Sequence, residues 1–199
     1  MRSSGFIAVL VLVVVLLLTG AAGCTTYNTL VGSEEQVEEA WSNVETQYQR
    51  RADLIPNLVS TVRGAADFEQ EVLESVTQAR AQATSIQLSV DDLNDPAALQ
   101  QFQQAQSELG SALGRLLAVS ENYPELRATE AFRDLQAQLE GTENRINVAR
   151  TRYNEAVRSY NTQVRQFPAA VFAGMMGFDR RVGFEADEGA EVAPEVDFS

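Results

Sequence analysis

The sequence predicts an all-α fold, an antiparallel up-and-down four-helix bundle with long helices and a kinked first helix. Three observations carry that expectation. Apolar side chains recur every seven residues through two long stretches, cap and proline signals delimit four segments, and no strand-like alternation of useful length is present. The 199 residues, 45% hydrophobic and 22% charged, suffice for one folded domain with a real core.

The first bundle helix is expected from Ser33, which has capping-box spacing to Gln36, to about Ala66. Its apolar positions include Val37, Trp41, Val44, Tyr48, Ile55, Leu58 and Val62, and Trp41, Tyr48, Ile55 and Val62 are spaced by sevens. Pro56 interrupts the hydrogen-bond ladder, which predicts a kink. Asp67 and Gln70 form a second capping box, opening a segment with Phe68, Val72, Leu73, Val76, Ala79, Ala83 and Ile86 on one side. The third segment starts at Asp95-Pro96, an N-cap followed by proline at the first helical position, and continues through Leu99, Phe102, Leu109, Leu113 and Leu116 to about Asn122. Pro124 should interrupt it. The longest helix is expected from about Thr129 to Phe167, with Phe132, Leu139, Ile146, Tyr153, Tyr160 and Phe167 in heptad register. Leu135, Thr142, Ala149 and Ala156 fill the companion positions. Some 38 residues at about 1.5 Å each reach about 57 Å, so this seam needs partners of similar length.

Ahead of the bundle, Phe6 to Leu18 form an apolar run of 13, preceded by Arg2 and followed by Thr19-Gly20-Ala21-Ala22-Gly23-Cys24. That is a short basic region, an apolar core and a small-residue cleavage region, and the run is shorter than the roughly 20 residues of a spanning helix. Ala21-Ala22-Gly23-Cys24 resembles the bacterial lipoprotein signal. The resemblance implies cleavage before Cys24 and lipid attachment to its sulfur; the alternative is an uncleaved signal anchor. In both cases residues 1–23 are the signal or anchor and 24–32 a tether. The only positive charges near the run lie on its N-terminal side, which puts everything after Cys24 outside the cytoplasm, on the periplasmic face or the outer cell surface.

Composition removes several functions. There are 28 acidic residues against 15 basic ones, all arginine, for a net charge of -13 that phosphate backbones would repel, so nucleic acid is not an expected partner. With no histidine, no lysine and one cysteine, the chain lacks a neutral-pH imidazole base, a Schiff-base amine, a Cys/His pair and the histidines of a di-iron bundle site. Glu34, Glu35, Glu38, Glu39 and Glu45 have no ordered calcium loop and read as a solvated helix start. No cofactor, metal site or catalytic residue is expected.

Ala169 to Phe178, within an apolar segment 169–184, is too short to span a bilayer. It either packs on the end of the bundle or forms an interfacial patch. Residues 185–199 carry six acids and no base, the pattern of a disordered solvating tail.

Arg50-Arg51-Ala52-Asp53-Leu54-Ile55-Pro56-Asn57-Leu58-Val59 resembles the LemA family, whose members carry such a stretch in their first long helix. The likeness continues at Glu121-Asn122-Tyr123-Pro124-Glu125-Leu126, Glu143 with Arg145 and Ile146, Arg150-Thr151-Arg152-Tyr153-Asn154, Tyr160-Asn161, Phe167-Pro168 and Gly177-Phe178, in order across most of residues 27 to 184. It implies a bacterial long-helix bundle (33–168) on one N-terminal membrane attachment, with no established catalytic activity and no known cofactor.

Asn147, Asn154 and Asn161 repeat every seven residues beside the Ile146, Tyr153, Tyr160 seam, with Arg150 and Arg158 a turn from Asn154. Arg51, Asp53 and Asn57 lie near Pro56. These polar groups either satisfy carbonyls freed by the proline and specify helix register, or form a groove for a protein or peptide partner. The second reading makes Arg51, Asp53, Asn57, Arg150, Tyr153, Asn154, Tyr160 and Asn161 the candidate groove. The expected function is a membrane-anchored, extracytoplasmic adaptor or scaffold with an envelope-protein partner. The alternative is an envelope-remodelling structural protein that contacts lipid or oligomerises through residues 169–178.

Overall fold

The structure is a computed structural model that describes residues 2–64 and 69–185. It is all-helical, with no strand among the described residues. The helices are α1 (Arg2–Arg63), α2 (Gln70–Ser85), α3 (Pro96–Ser120), α4 (Pro124–Ala128), α5 (Glu130–Arg165) and α6 (Ala169–Met176), with a 3-10 turn over Asp91–Asn94. Residues 178–185 follow α6 without helical structure and run along α5. The expected acidic tail, from 186 on, lies outside the described residues, as do Asp67 and Phe68.

The separate anchor, tether and first bundle helix merge into α1, a single helix of 62 residues. Nothing from Thr25 to Gly32 breaks it. The hydroxyls of Thr25 and Thr29 donate to carbonyls four residues back, and Leu30 is already buried in the core. Ser33 is therefore inside the helix and donates to Leu30 O at 2.9 Å; it does not cap, which corrects the capping box expected there. α2 likewise starts at Gln70 after Glu69, without a side-chain cap. The cap at Asp95 holds, its carboxylate accepting from the Ala97 N–H at 2.9 Å; the last helix starts where expected, and Thr129 Oγ1 caps it by accepting from the Phe132 N–H at 3.4 Å. Pro124 ends the third segment as expected and opens the short α4 in its first turn.

α1 passes through Pro56 as one helix. Proline has no N–H, so the carbonyl four residues back, Ala52 O, loses its donor. Arg80 of α2 supplies one, with Nε donating to Ala52 O at 2.8 Å. The proline's missing hydrogen bond is thus converted into a link between α1 and α2.

α1 and α5 run antiparallel, since Trp41 meets Tyr153 while Arg51 meets Glu143 further along. α2 packs on α3 and α1, and α6 sits against both α1 and α5. The heptad positions Trp41, Tyr48, Ile55, Val62, Phe132, Leu139, Ile146, Tyr153 and Tyr160 are all buried. Phe167 is the exception, 86% exposed, because α5 ends at Arg165 and Gln166 turns to extended backbone before the seam reaches it.

The interior divides in two. One apolar cluster gathers Trp41, Tyr48, Phe102, Ile146, Tyr153 and Tyr160; the other gathers Ile55, Leu58, Leu109, Leu116, Phe132 and Leu139. Between Tyr48 and Ile55 stands Arg51, 3% exposed. Its Nη1 donates to Glu143 Oε2 at 3.0 Å, and its Nη2 donates to Gln106 O at 3.0 Å and Gln106 Oε1 at 2.8 Å. Gln106 Nε2 in turn donates to Ala83 O of α2 at 3.2 Å. This buried polar layer ties four helices together at one height.

Candidate functional site

The densest polar site outside that layer lies on α5. Gly177 closes α6 in a left-handed conformation, φ 80°, which a glycine adopts without penalty. The chain then turns back along α5, where two asparagines hold it by its backbone. Asn161 Nδ2 donates to Arg181 O at 2.8 Å while its Oδ1 accepts from the Arg181 N–H at 2.9 Å. Asn154 repeats this on Phe184, with Nδ2 donating to its carbonyl at 3.1 Å and Oδ1 accepting from its N–H at 2.8 Å. The spacing has a simple cause. Seven residues of helix rise about 10.5 Å and three extended residues about 10 Å, so a heptad of asparagines matches every third residue of an extended strap.

Other contacts complete the strap. Tyr153 Oη donates to Val182 O at 2.8 Å, and the Val182 N–H donates to Leu93 O at 2.9 Å. At Gly183 the backbone comes so near α5 that a Cβ would stand 2.9 Å from Asn154 Oδ1. The Phe184 ring stacks on Trp41 at 5.9 Å and meets Tyr153 edge-on at 5.5 Å. The Arg150 guanidinium lies 4.8 Å above the same ring. Arg181 is buried and donates to Glu34 Oε1 at 2.6 Å, Asn94 Oδ1 at 2.8 Å and Val90 O at 3.1 Å, so one side chain joins the strap to α1 and the 3-10 turn. Burial raises the phenols of Tyr153 and Tyr160, the latter up to about 12. The Tyr160 hydroxyl is buried without a hydrogen-bond partner.

The candidate residues therefore fall into separate places. Arg150, Tyr153, Asn154 and Asn161 come together, and their groove is filled by residues 181–185 of the same chain. Tyr160 lies in the core beneath. Arg51 is in the buried layer. Asp53 is exposed and accepts from Gln49 Nε2 at 2.8 Å. Asp53 and the exposed Asn57 border an open groove of about 1160 Å³ between α1 and the link after α2, which Glu45, Gln87, Asp92 and Gln138 also line. Desolvation raises the Glu45 carboxyl above the ordinary range. Cys24 is a free, exposed thiol on α1.

Three residues that matter were not singled out from the sequence. Arg80 was signalled indirectly, because Pro56 obliges some donor to reach Ala52 O. Gly183 and Arg181 carry no periodic signal, since their partners lie some 20 to 147 residues away in the chain.

These elements define a class: an all-helical body whose most developed polar site grips backbone, with no cluster of metal-ligating side chains among the described residues. The chain belongs to the LemA family, whose sequence profile matches residues 40–198. It is 28% identical over 175 residues to the magnetosome protein MamQ 2 of Paramagnetospirillum magneticum, covering 80% of this chain and 64% of that one. It is 26% identical over 170 residues to the magnetosome protein MamQ of Magnetospirillum gryphiswaldense, covering 77% and 62%. Protein LemA of Metamycoplasma hominis is 24% identical over 161 residues, covering 81% and 69%. The chain thus spans less than two thirds of the length of the two MamQ relatives.

Proposed function

We propose that this protein is a membrane-anchored, extracytoplasmic adaptor or scaffold, an antiparallel four-helix bundle without catalytic chemistry that presents a polar groove to an envelope protein. The observation that carries the reading is the continuity of α1. The run Phe6 to Leu18 is by itself shorter than a span, but the helix continues through Thr19–Gly23, and this N-terminal part is long and apolar enough to cross a membrane; the same helix supplies the core residues Trp41, Tyr48 and Ile55. Where residues 1–23 are retained, such an attachment holds the body upright with no flexible joint. The continuity of α1 favours residues 1–23 retained as the anchor over cleavage and lipid on Cys24, and charge asymmetry supports a body outside the cytoplasm.

The partner's place is the groove bordered by Asp53 and Asn57, because the α5 groove is taken by the chain itself. Glu45, Asp53 and Asp92 give it a surplus of carboxylates over Arg50, which suits a basic or amide-rich segment. A photoreactive residue installed in cells at Asn57 or Gln87 should capture a discrete protein band that the same residue at exposed Glu155 on α5 does not. Equal capture at all three positions, or none at any, overturns the groove assignment. Protection of the body from protease added to intact spheroplasts overturns the extracytoplasmic one.

A further inference from the structure

Helix α6 is covered on one side only. Ala173 is buried, whereas Val171 and Met175 on the opposite side are exposed, Met175 by 81%, as is Phe167 just ahead of the helix. Its covered side meets α1 at a definite height. The Phe172 ring lies 3.2 Å from where a Cβ on Gly23 would stand, and Phe178 meets the Tyr27 ring at 5.8 Å. An apolar cleft of about 680 Å³ joins Leu16, Gly20 and Tyr27 of α1 to Phe172 and Met176 of α6.

Leu16 belongs to the apolar run that would enter a bilayer. Whatever depth the end of that run takes, the neighbouring α6 takes too. Eight residues are too few to span, so α6 stays at the level of the interface. Exposed Arg165 and Arg180 stand at either end of the segment, where lipid head groups would be.

We infer that α6 is a membrane foot: its outer face of Val171 and Met175, with Phe167 just before it, inserts into the leaflet through which α1 leaves the bilayer. The inference rests on the proposed attachment through the N-terminal part of α1, with residues 1–23 retained. Lipid is the occupant because the outer face is continuous with that attachment. The three side chains offer far less than the roughly 800 Å² per partner that a stable protein interface takes.

The test reconstitutes the full chain into phosphatidylethanolamine/phosphatidylglycerol vesicles doped with a lipid bearing a diazirine on its acyl chain. Adducts are mapped by mass spectrometry after illumination. Residues 167–176 should be labelled about tenfold above exposed Val148 on α5, and at a yield comparable to residues 9–18. Labelling of 9–18 with none above the Val148 level on α6 overturns the foot and leaves the attachment standing. Absence of labelling at both overturns the attachment and the foot together. Links between the α6 helices of two copies in place of lipid adducts overturn it in favour of self-association.

Discussion

Replacing Gly183 by alanine puts a methyl carbon 2.9 Å from Asn154 Oδ1, so the amide must move. That oxygen accepts from the Phe184 N–H, and the neighbouring Nδ2 donates to the Phe184 carbonyl, so both bonds are at stake. At about 0.5–1.5 kcal/mol net for each bond, the loss is about 1–3 kcal/mol. Alanine also narrows the unfolded ensemble, which returns about 0.4–1 kcal/mol where the native φ suits it. Gly183 is not among the positive-φ glycines, so this smaller stabilising effect applies. The net expectation for Gly183→Ala is a destabilisation of about 1–2 kcal/mol. In an Asn154→Ala background the clash is gone, and the same substitution should become neutral or stabilising by up to about 1 kcal/mol. The assay is a denaturant-unfolding double-mutant cycle on the full chain, followed by tryptophan emission. Trp41, the only tryptophan, stacks on Phe184 and reports the strap directly, so lifting the strap should shift its emission to the red. Equal costs of Gly183→Ala in the two backgrounds, or an unchanged Trp41 spectrum in the single variant, would refute the proposed strap geometry.

Arg80→Met strands Ala52 O and should cost about 1–3 kcal/mol in denaturant unfolding, and the cost should shrink once Pro56→Ala restores an N–H to that carbonyl. Glu143→Ala leaves the buried Arg51 guanidinium without its carboxylate and should cost up to about 3–5 kcal/mol, whereas Arg51→Met, which removes the buried charge together with its need for a counter-ion and leaves a half-exposed Glu143 to water, should cost less; urea midpoints compare them. Tyr160 loses a buried proton only when pH rises from the unfolded value of 10.0 towards about 12, so its contribution to stability is intact below pH 10 and falls above it. Tyr160→Phe should therefore leave stability at neutral pH unchanged or higher, since the hydroxyl has no partner, and should extend alkaline tolerance in a pH series of melting curves.

The seam was legible because burial along a long helix leaves a period in the chain, and Trp41 through Val62 and Phe132 through Tyr160 follow it into the core. The cap at Asp95 was legible for a local reason: donor and acceptor are two residues apart. Ser33 misled because a capping box describes only the first turn, and the burial of Leu30 upstream had already committed the backbone to helix. Phe167 misled because a period does not say where the helix stops. Of the candidate groove, the heptad of Asn154 and Asn161 was visible as a polar stripe beside the seam. Its occupant was not, since residues 181–185 form no periodic element and are held through backbone atoms that every sequence possesses. Arg51 and Asp53 are neighbours in the chain yet point to different places, one to the interior and one to solvent, a distinction that burial alone decides.

The layer at Arg51 also governs how the rod responds to a pull along its length. A heptad seam repeats itself, so α1 displaced by seven residues, about 10.5 Å, against α5 would again set large apolar side chains opposite one another. Such a slide would carry the guanidinium out of reach of Glu143 and Gln106 and strand its charge among hydrocarbon. The arginine therefore acts as a detent against shear, and tension arriving at one end of the molecule is transmitted to the other before it is dissipated by slippage.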